Sequence, residues 1–339
     1  MTPRPATPRS FDGRHREVLA VSVDALPEAE RPEPGPIAVL PEADPTFVEA
    51  VEAAGGTVAP LDDDTRGVVW LAHDRPEQFD EVISAHPGIG WVQLPWAGVD
   101  AFADSIRDHD RPGLVWTSAK GAYAQPVAEH ALTLALALLR ELPTRIRATS
   151  WGPKIGASLY GLNVVIIGAG GIALELLRLL QPFGVSVTIV RRSADPVEGA
   201  DRTVSADRLD EVLPEADLLI VAAAFTAGTD KLIGARQLEL LPDTAHLVNI
   251  ARGGLVDTEA LVAALQSGAI AGAALDVTDP EPLPDGHPLF SMPTAIITPH
   301  SADTPEMIAP LLAERIRQNV RAFLETGEFA GRVDPEAGY

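Results

Sequence analysis

The chain has 339 residues, more than one hydrophobic core usually serves, so two domains are expected. Its 48 acidic residues against 26 basic ones leave a formal charge of −22, a field that repels polyanions, so neither nucleic acid nor an anionic membrane is expected as a partner. With no cysteine there is no disulfide scaffold, thiolate nucleophile or thiolate-held metal, and no metal site is expected.

Residues 1–35 are rich in Pro and Arg and lack the apolar core of a secretory signal; they read as a partly disordered extension of a cytoplasmic protein. From residue 36, short β-branched runs alternate with helical patterns, as parallel α/β layers do. Strands are expected at 36–40, 56–61, 67–72 and 90–94, with 45–55 a helix closed by Gly55. The segment 126–142, PVAEHALTLALALLREL, places Pro126 at its first turn and is apolar over most of its surface. It reads either as a packing element between domains or subunits or as a core helix, and its apolar run 131–139 is too short to cross a bilayer. The densest alternation follows, with strands expected at 163–168, 186–190, 217–223, 245–250, 270–277 and 295–298, enough for a doubly wound dinucleotide-binding sheet. The amphipathic stretch 305–327 dominates what remains; it cannot fold alone and is expected to pack back on the first domain.

In VVIIGAGGIALELLRLL, Gly168, Gly170 and Ala173 have the spacing GxGxxA between an apolar strand and a helix, the context a dinucleotide fingerprint requires. Gly168 permits the tight turn, Gly170 lets backbone approach a pyrophosphate, and the amides from Gly171 and Ile172 onward aim the helix dipole at it. The next strand runs into Arg191, Arg192 and Ser193, where an NAD-preferring site would carry a carboxylate for the ribose hydroxyl. Two guanidiniums and a hydroxyl suit a 2′-phosphate instead, so NADP is the expected cofactor, with NAD possible.

Three further segments end expected strands: LVNIARGGLVD with Ala251 and Arg252, AALDVTDPEPLP with Asp276 and Glu281, and AIITPHSAD with His300. Taken singly, each has a plain reading: an arginine before a helix, a Pro-rich surface turn, a satisfied histidine.

In this order the segments resemble the D-isomer-specific 2-hydroxyacid dehydrogenase family, whose signatures include INxARGxxVD, ALDVxxxEP and TPH. GVD at 98–100, VAE at 127–129 and the closing GY at 338–339 extend the likeness from residue 36 to the end. The resemblance implies two Rossmann-like domains: a doubly wound dinucleotide-binding domain, 123–300, inserted into a smaller flavodoxin-like substrate domain, 36–122 and 301–339. It implies that Arg252 binds the carboxylate and carbonyl of a small 2-keto or 2-hydroxy acid, that His300 is proton donor and acceptor, and that Glu281 is its partner. It further implies that Asp276 orients the nicotinamide carboxamide and that the loop of Trp96, Ala97 and Gly98 receives substrate. A glyoxylate or hydroxypyruvate reductase working as a homodimer is the expected member.

Two departures stand out. Where relatives read PLT before a cofactor-contacting turn, this chain has Ala224, Phe225 and Thr226, and SAD follows the histidine. Formate dehydrogenases of the superfamily carry glutamine where Glu281 stands, and long 3-phosphoglycerate dehydrogenases add a regulatory domain not expected in 339 residues, so neither is the expected member. Oxidation of a phosphite-like anion by the same triad, and a dinucleotide-sensing scaffold like the C-terminal-binding-protein corepressors, remain the alternatives.

Overall fold

The computed structural model describes residues 15–20 and 23–336; the stretch up to residue 14 and the closing Gly338–Tyr339 pair lie outside them. The chain divides into two units, Met1–Tyr123 with Asp303–Tyr339, and Ala124–Ala302.

The first unit runs β1 (Ile37–Leu40), α1 (Pro45–Ala53), β2 (Gly67–Trp70), α2 (Pro76–Ala85), β3 (Trp91–Gln93), α3 (Ala103–His109) and β4 (Val115–Thr117). Asp44 caps α1 by accepting the Thr46 N–H, and Pro45 fills the first helical position, where its missing N–H costs nothing. The strands pair in parallel in the order β1-β2-β3-β4. Their buried runs of Val, Ile and Trp are what a sheet covered on both faces requires. Phe79 sits at the centre of one face, its ring 5.3 Å from Trp70, 4.9 Å from Phe102 and 6.1 Å from Trp116.

The expected strand at 56–61 is reduced to one parallel bridge, Val58 with Ile37. Thr57 O takes the Ile37 N–H and Ile37 O takes the Ala59 N–H, after which Pro60 offers no donor and the ladder stops. The bridge lies on the far side of β1, giving the sheet a flavodoxin-like order.

The second unit opens with α4 (Ala124–Leu139) and α5 (Leu142–Arg147), then β5 (Asn163–Ile167), α6 (Gly171–Leu180), β6 (Ser186–Arg191), β7 (Arg202–Ser205), α7 (Leu209–Val212) and β8 (Leu218–Val221). It continues through α8 (Ala235–Leu240), β9 (His246–Asn249), α9 (Thr258–Ser267), β10 (Gly272–Leu275) and β11 (Ala295–Ile297). Seven parallel strands lie in the order β11-β10-β9-β8-β5-β6-β7, one more than the sequence reading expected, because the polar edge strand β7 carries little hydrophobic signal. The order reverses between β5 and β8, so a crevice opens beyond the C-terminal ends of those strands. The single helix expected over 126–142 breaks at Glu141, whose left-handed φ of 54° turns the chain into α5. α4 is covered inside its own unit by β9, β10, β11 and α6. Beyond it, Leu142, Ile146 and Trp151 stand in solvent.

α10 (Pro305–Arg321) returns the chain to the first unit and packs on α1. Arg315, within the stretch expected as an amphipathic helix, is 1% exposed: it donates to the carbonyls of Ser118 and Lys120 and pairs with Glu17. A buried guanidinium persists only with its donors satisfied. Asn319, also buried, donates to Gln93 Oε1 at 2.7 Å and to Ala330 O at 2.9 Å. Among the described residues no helix is long and apolar enough to cross a membrane, and no group of His, Asp and Glu has the arrangement of a metal site.

Candidate active site

The fingerprint residues stand where β5 meets α6. Gly168 has φ +112°, and a Cβ there would lie 2.5 Å from Ala222 O, so only glycine fits the end of β5. A Cβ on Gly170 would meet nothing within 4 Å, so open space faces the start of α6, where Gly171 and Ile172 begin the helix without a side-chain cap. Ala173 is fully buried and lets helix and strand approach closely. Backbone donors at a helix N-terminus facing open space fit a dinucleotide pyrophosphate.

Arg191 closes β6 opposite Ser205 and is half-buried, while Arg192 is exposed. Ser193 donates its hydroxyl to Asp195 Oδ2 at 2.7 Å, so a carboxylate does stand in this loop, two residues beyond the reach of the motif. On the loop after β8, the Thr226 N–H and hydroxyl both meet Thr229 Oγ1, at 2.8 Å and 3.2 Å, closing a tight turn. Phe225 of the departing triplet lies against Gly254, where a Cβ would come 2.7 Å from its ring.

Arg252 follows β9 in extended conformation and starts the short helical turn Gly253–Leu255. The buried side chain of Asn249 fixes this bend: its Oδ1 accepts the Ala251 N–H at 3.1 Å and its Nδ2 donates to Arg252 O at 2.9 Å. The guanidinium donates through Nη1 to Ala251 O at 2.7 Å. At Gly253 the chain presses on the segment after β10; a Cβ there would fall 2.0 Å from the Thr278 carbonyl. That close approach brings the arginine turn alongside the segment leading to Glu281.

Glu281 is held on both oxygens. Oε2 accepts the Thr278 N–H at 3.3 Å, and Oε1 receives His300 Nδ1 at 2.7 Å. The imidazole and the carboxylate keep side-chain exposures of 26% and 42%, enough for a ligand to reach them. With the Nδ1 proton given to Glu281, Nε2 is the ring atom left to exchange a proton.

His300 itself has φ +48°, an uncommon conformation for a residue with a side chain. Its N–H donates to Asp276 O at 2.8 Å and Thr298 O at 3.0 Å. Asp276, almost fully buried, accepts from Thr298 Oγ1 at 2.5 Å and from the Ser301 and Ala302 amides at 2.9 Å and 3.0 Å. Burial alone would raise its pKa, but the donors outweigh it and bring the carboxyl down to about 2. Through these bonds the carboxylate of Asp276 fastens the turn carrying the histidine.

Arg252, Asp276, Glu281 and His300 all stand beyond the C-terminal ends of neighbouring strands β9, β10 and β11. Trp96, Ala97 and Gly98 belong to the first unit, in the bend after β3, where Trp96 O accepts the Ala119 N–H at 2.9 Å and its ring lies 5.0 Å from His73. Sequence reading missed Asn249, Thr278, Thr298 and His130. His130 projects from α4, with Nε2 3.1 Å from Thr298 Oγ1 and 3.3 Å from Asp276 Oδ1.

Residues 131–302 match the family model described as D-isomer specific 2-hydroxyacid dehydrogenase, NAD binding domain. A glyoxylate reductase of Thermococcus gammatolerans is 34% identical over 230 residues, covering 64% of this chain and 69% of the relative. An uncharacterized protein in the proB 3′ region of Corynebacterium melassecola is 41% identical over 257 residues, 74% of this chain and 84% of its own. A D-isomer specific 2-hydroxyacid dehydrogenase from Xanthobacter autotrophicus, solved in complex with NADPH and MES, superimposes with a TM-score of 0.78 at 29% identity, covering 91% of this chain and 100% of that one. An NADPH-dependent glyoxylate/hydroxypyruvate reductase from Sinorhizobium meliloti, in complex with NADP and malonate, gives a TM-score of 0.72 at 29% identity, with 89% and 98% covered.

Proposed function

We propose that this chain, which belongs to the D-isomer specific 2-hydroxyacid dehydrogenase family, reduces small 2-keto acids such as glyoxylate or hydroxypyruvate with NADPH. The observation that carries the reading is the 2.7 Å contact between His300 Nδ1 and Glu281 Oε1 beyond the sheet's C-terminal edge. Two relatives of known structure with similar sequence were solved with NADPH or NADP.

The nicotinamide, when bound, supplies the hydride. His300 delivers the proton to the carbonyl oxygen from Nε2, because Nδ1 is given to Glu281. The Glu281 carboxylate holds that tautomer and stabilises the imidazolium that must reform after each turnover. Arg252, fixed at its backbone by Asn249, offers the planar charged fork for the substrate's carboxylate and developing oxyanion. Gly168, Gly170 and the α6 N-terminus take the pyrophosphate, with Thr226 and Ala251 on the neighbouring loops. Arg191 and Arg192 carry the preference for a 2′-phosphate; Ser193 takes part only by leaving Asp195. In the first unit, Trp96, Ala97 and Gly98 serve substrate, and Trp96→Ala is expected to raise KM more than it lowers kcat.

The test is loss of reduced-nicotinamide absorbance with a panel of 2-keto acids, run alongside phosphite with NADP in the reverse sense. Turnover on a keto acid that vanishes in His300→Ala supports the reductase; phosphite oxidation alone replaces it with the inorganic-anion reading. Tight NADPH binding without turnover on either leaves the scaffold. The exposed Leu142, Ile146 and Trp151 favour a homodimer, which light scattering showing only monomer would exclude.

A further inference from the structure

We propose that His130 is a positioning residue for the proton-transfer step, tying the turn that carries His300 to helix α4; this rests on the reductase reading above. The argument begins with which atoms can donate. Thr298 Oγ1 has one hydrogen, and it goes to Asp276 Oδ1, 2.5 Å away, because an ionised carboxylate can only accept. At 3.1 Å from that hydroxyl, His130 Nε2 must therefore be the donor, and the same N–H reaches the carboxylate at 3.3 Å. A directed chain results, from His130 through Thr298 to Asp276.

The remaining donors to Asp276 explain why the link matters. Thr298, Ser301 and Ala302 all belong to the turn around His300, so their bonds join the carboxylate to the turn itself. The backbone ties this assembly to the sheet, with the Asp276 N–H on Asn249 O and the Thr298 N–H on Leu275 O, each at 3.0 Å, but none of these donors to the carboxylate belongs to a helix. His130 comes from a different element. α4 packs across β9, β10 and β11 and holds its place through buried side chains such as Ala131, Leu134 and Ala135. Through His130 the turn is registered against that helix, and His300 is kept at φ +48° with Nδ1 on Glu281. A backbone held in a sparsely populated region relaxes when the bonds that over-determine it are removed. The imidazole at 130 is part-exposed and bonds to Thr298 and Asp276, so its effect on chemistry passes through the turn.

A merely space-filling His130 would lower stability and cofactor affinity together and would not care which polar atom replaced it. The experiment uses the full chain with His130→Phe, His130→Gln and Thr298→Val. His130→Phe is expected to lower kcat about tenfold or more while KM for the keto acid and the Kd for NADPH, titrated by tryptophan fluorescence, stay within about twofold. His130→Gln, whose amide nitrogen can reach Thr298, is expected to recover kcat to within about threefold of the parent. The double variant His130→Phe/Thr298→Val is expected to lose no more than either single change, as residues of one network do.

A readout free of turnover separates this inference from the reductase reading. Imidazole nitrogen NMR of the cofactor-free protein reports the His300 Nδ1 hydrogen bond directly, and its signature is expected to weaken in His130→Phe and return in His130→Gln. An unchanged His300 signature in His130→Phe overturns the proposal, as does a glutamine variant no better than the phenylalanine one. If the parent reduces no keto acid, the reductase reading fails and the NMR comparison alone decides the role of His130. Thr298→Val carries the same decision should His130→Phe not fold.

Discussion

Asp276→Asn tests the bracing of the histidine turn most directly. The fall of the carboxyl from 3.8 to about 2 corresponds to about 2 kcal/mol favouring its charged form in the folded chain. An asparagine keeps the shape but offers one acceptor oxygen and one donor nitrogen. Its NH2 must face either the Ala302 amide or the paired Thr298 hydroxyl and Ser301 amide, so at least one buried donor loses its acceptor. Such a loss costs about 1–3 kcal/mol, the same scale as the charge contribution. The expected result at neutral pH is hydrogen exchange of the Ser301 and Ala302 amides about 30-fold faster in the variant, the rate equivalent of about 2 kcal/mol. Because the folded-state pKa lies below the unfolded one, this stabilisation is fully present above about pH 4 and disappears as pH falls through about 2. Urea midpoints of parent and variant should therefore differ near neutral pH and converge in strong acid. Unchanged exchange at residues 301 and 302, or a midpoint gap that widens on acidification, refutes the reasoning.

Three further outcomes are expected. Glu281→Gln keeps a partner for the imidazole without its charge and should lower kcat by about 10- to 100-fold with NADPH affinity unchanged; an equal loss in Kd would mean that Glu281 serves binding instead. Arg191→Asp should move the ratio of kcat/KM for NADPH over NADH by about 10- to 100-fold toward NADH, from loss of a charge-assisted bond and gain of a like charge; a parent that already favours NADH contradicts the premise. Gly253→Ala drives a methyl into the Thr278 carbonyl and should cost about 3 kcal/mol or more in thermal unfolding, since backbone, not a flexible side chain, is in the way. An unaltered Tm would show that the turn yields freely.

The sequence carried the parts of this molecule that depend on local pattern. β5 into Gly168, and the strand ends at Arg252, Asp276 and His300, were legible because a buried parallel strand is a continuous apolar run and its polar terminus interrupts it sharply. Where the apolar run was short or mixed, the pattern failed: β4 is three residues long, and β7 is Arg-Thr-Val-Ser. The segment 56–61 erred in the other direction, since its β-branched character hid the effect of Pro60 on the ladder. Within the site, Glu281 and His300 announced themselves by chemistry, whereas Asn249, Thr298 and His130 act through bonds to residues far along the chain. His130 meets Thr298 across 168 positions, and nothing in an apolar helix marks which polar residue will find such a partner. Arg315 was hidden for the same reason, its carboxylate partner Glu17 being 298 positions away.

That long span has a consequence for how the molecule is made. The middle unit holds every described strand of its sheet by Ile297, so a growing chain can complete it before α10 is made. The outer unit closes later, because α10 and Arg315, the partner of Glu17, follow the inserted unit along the chain. Until Arg315 leaves the ribosome, α1 waits without the helix that packs on it, and the order of assembly runs from the inserted unit outward.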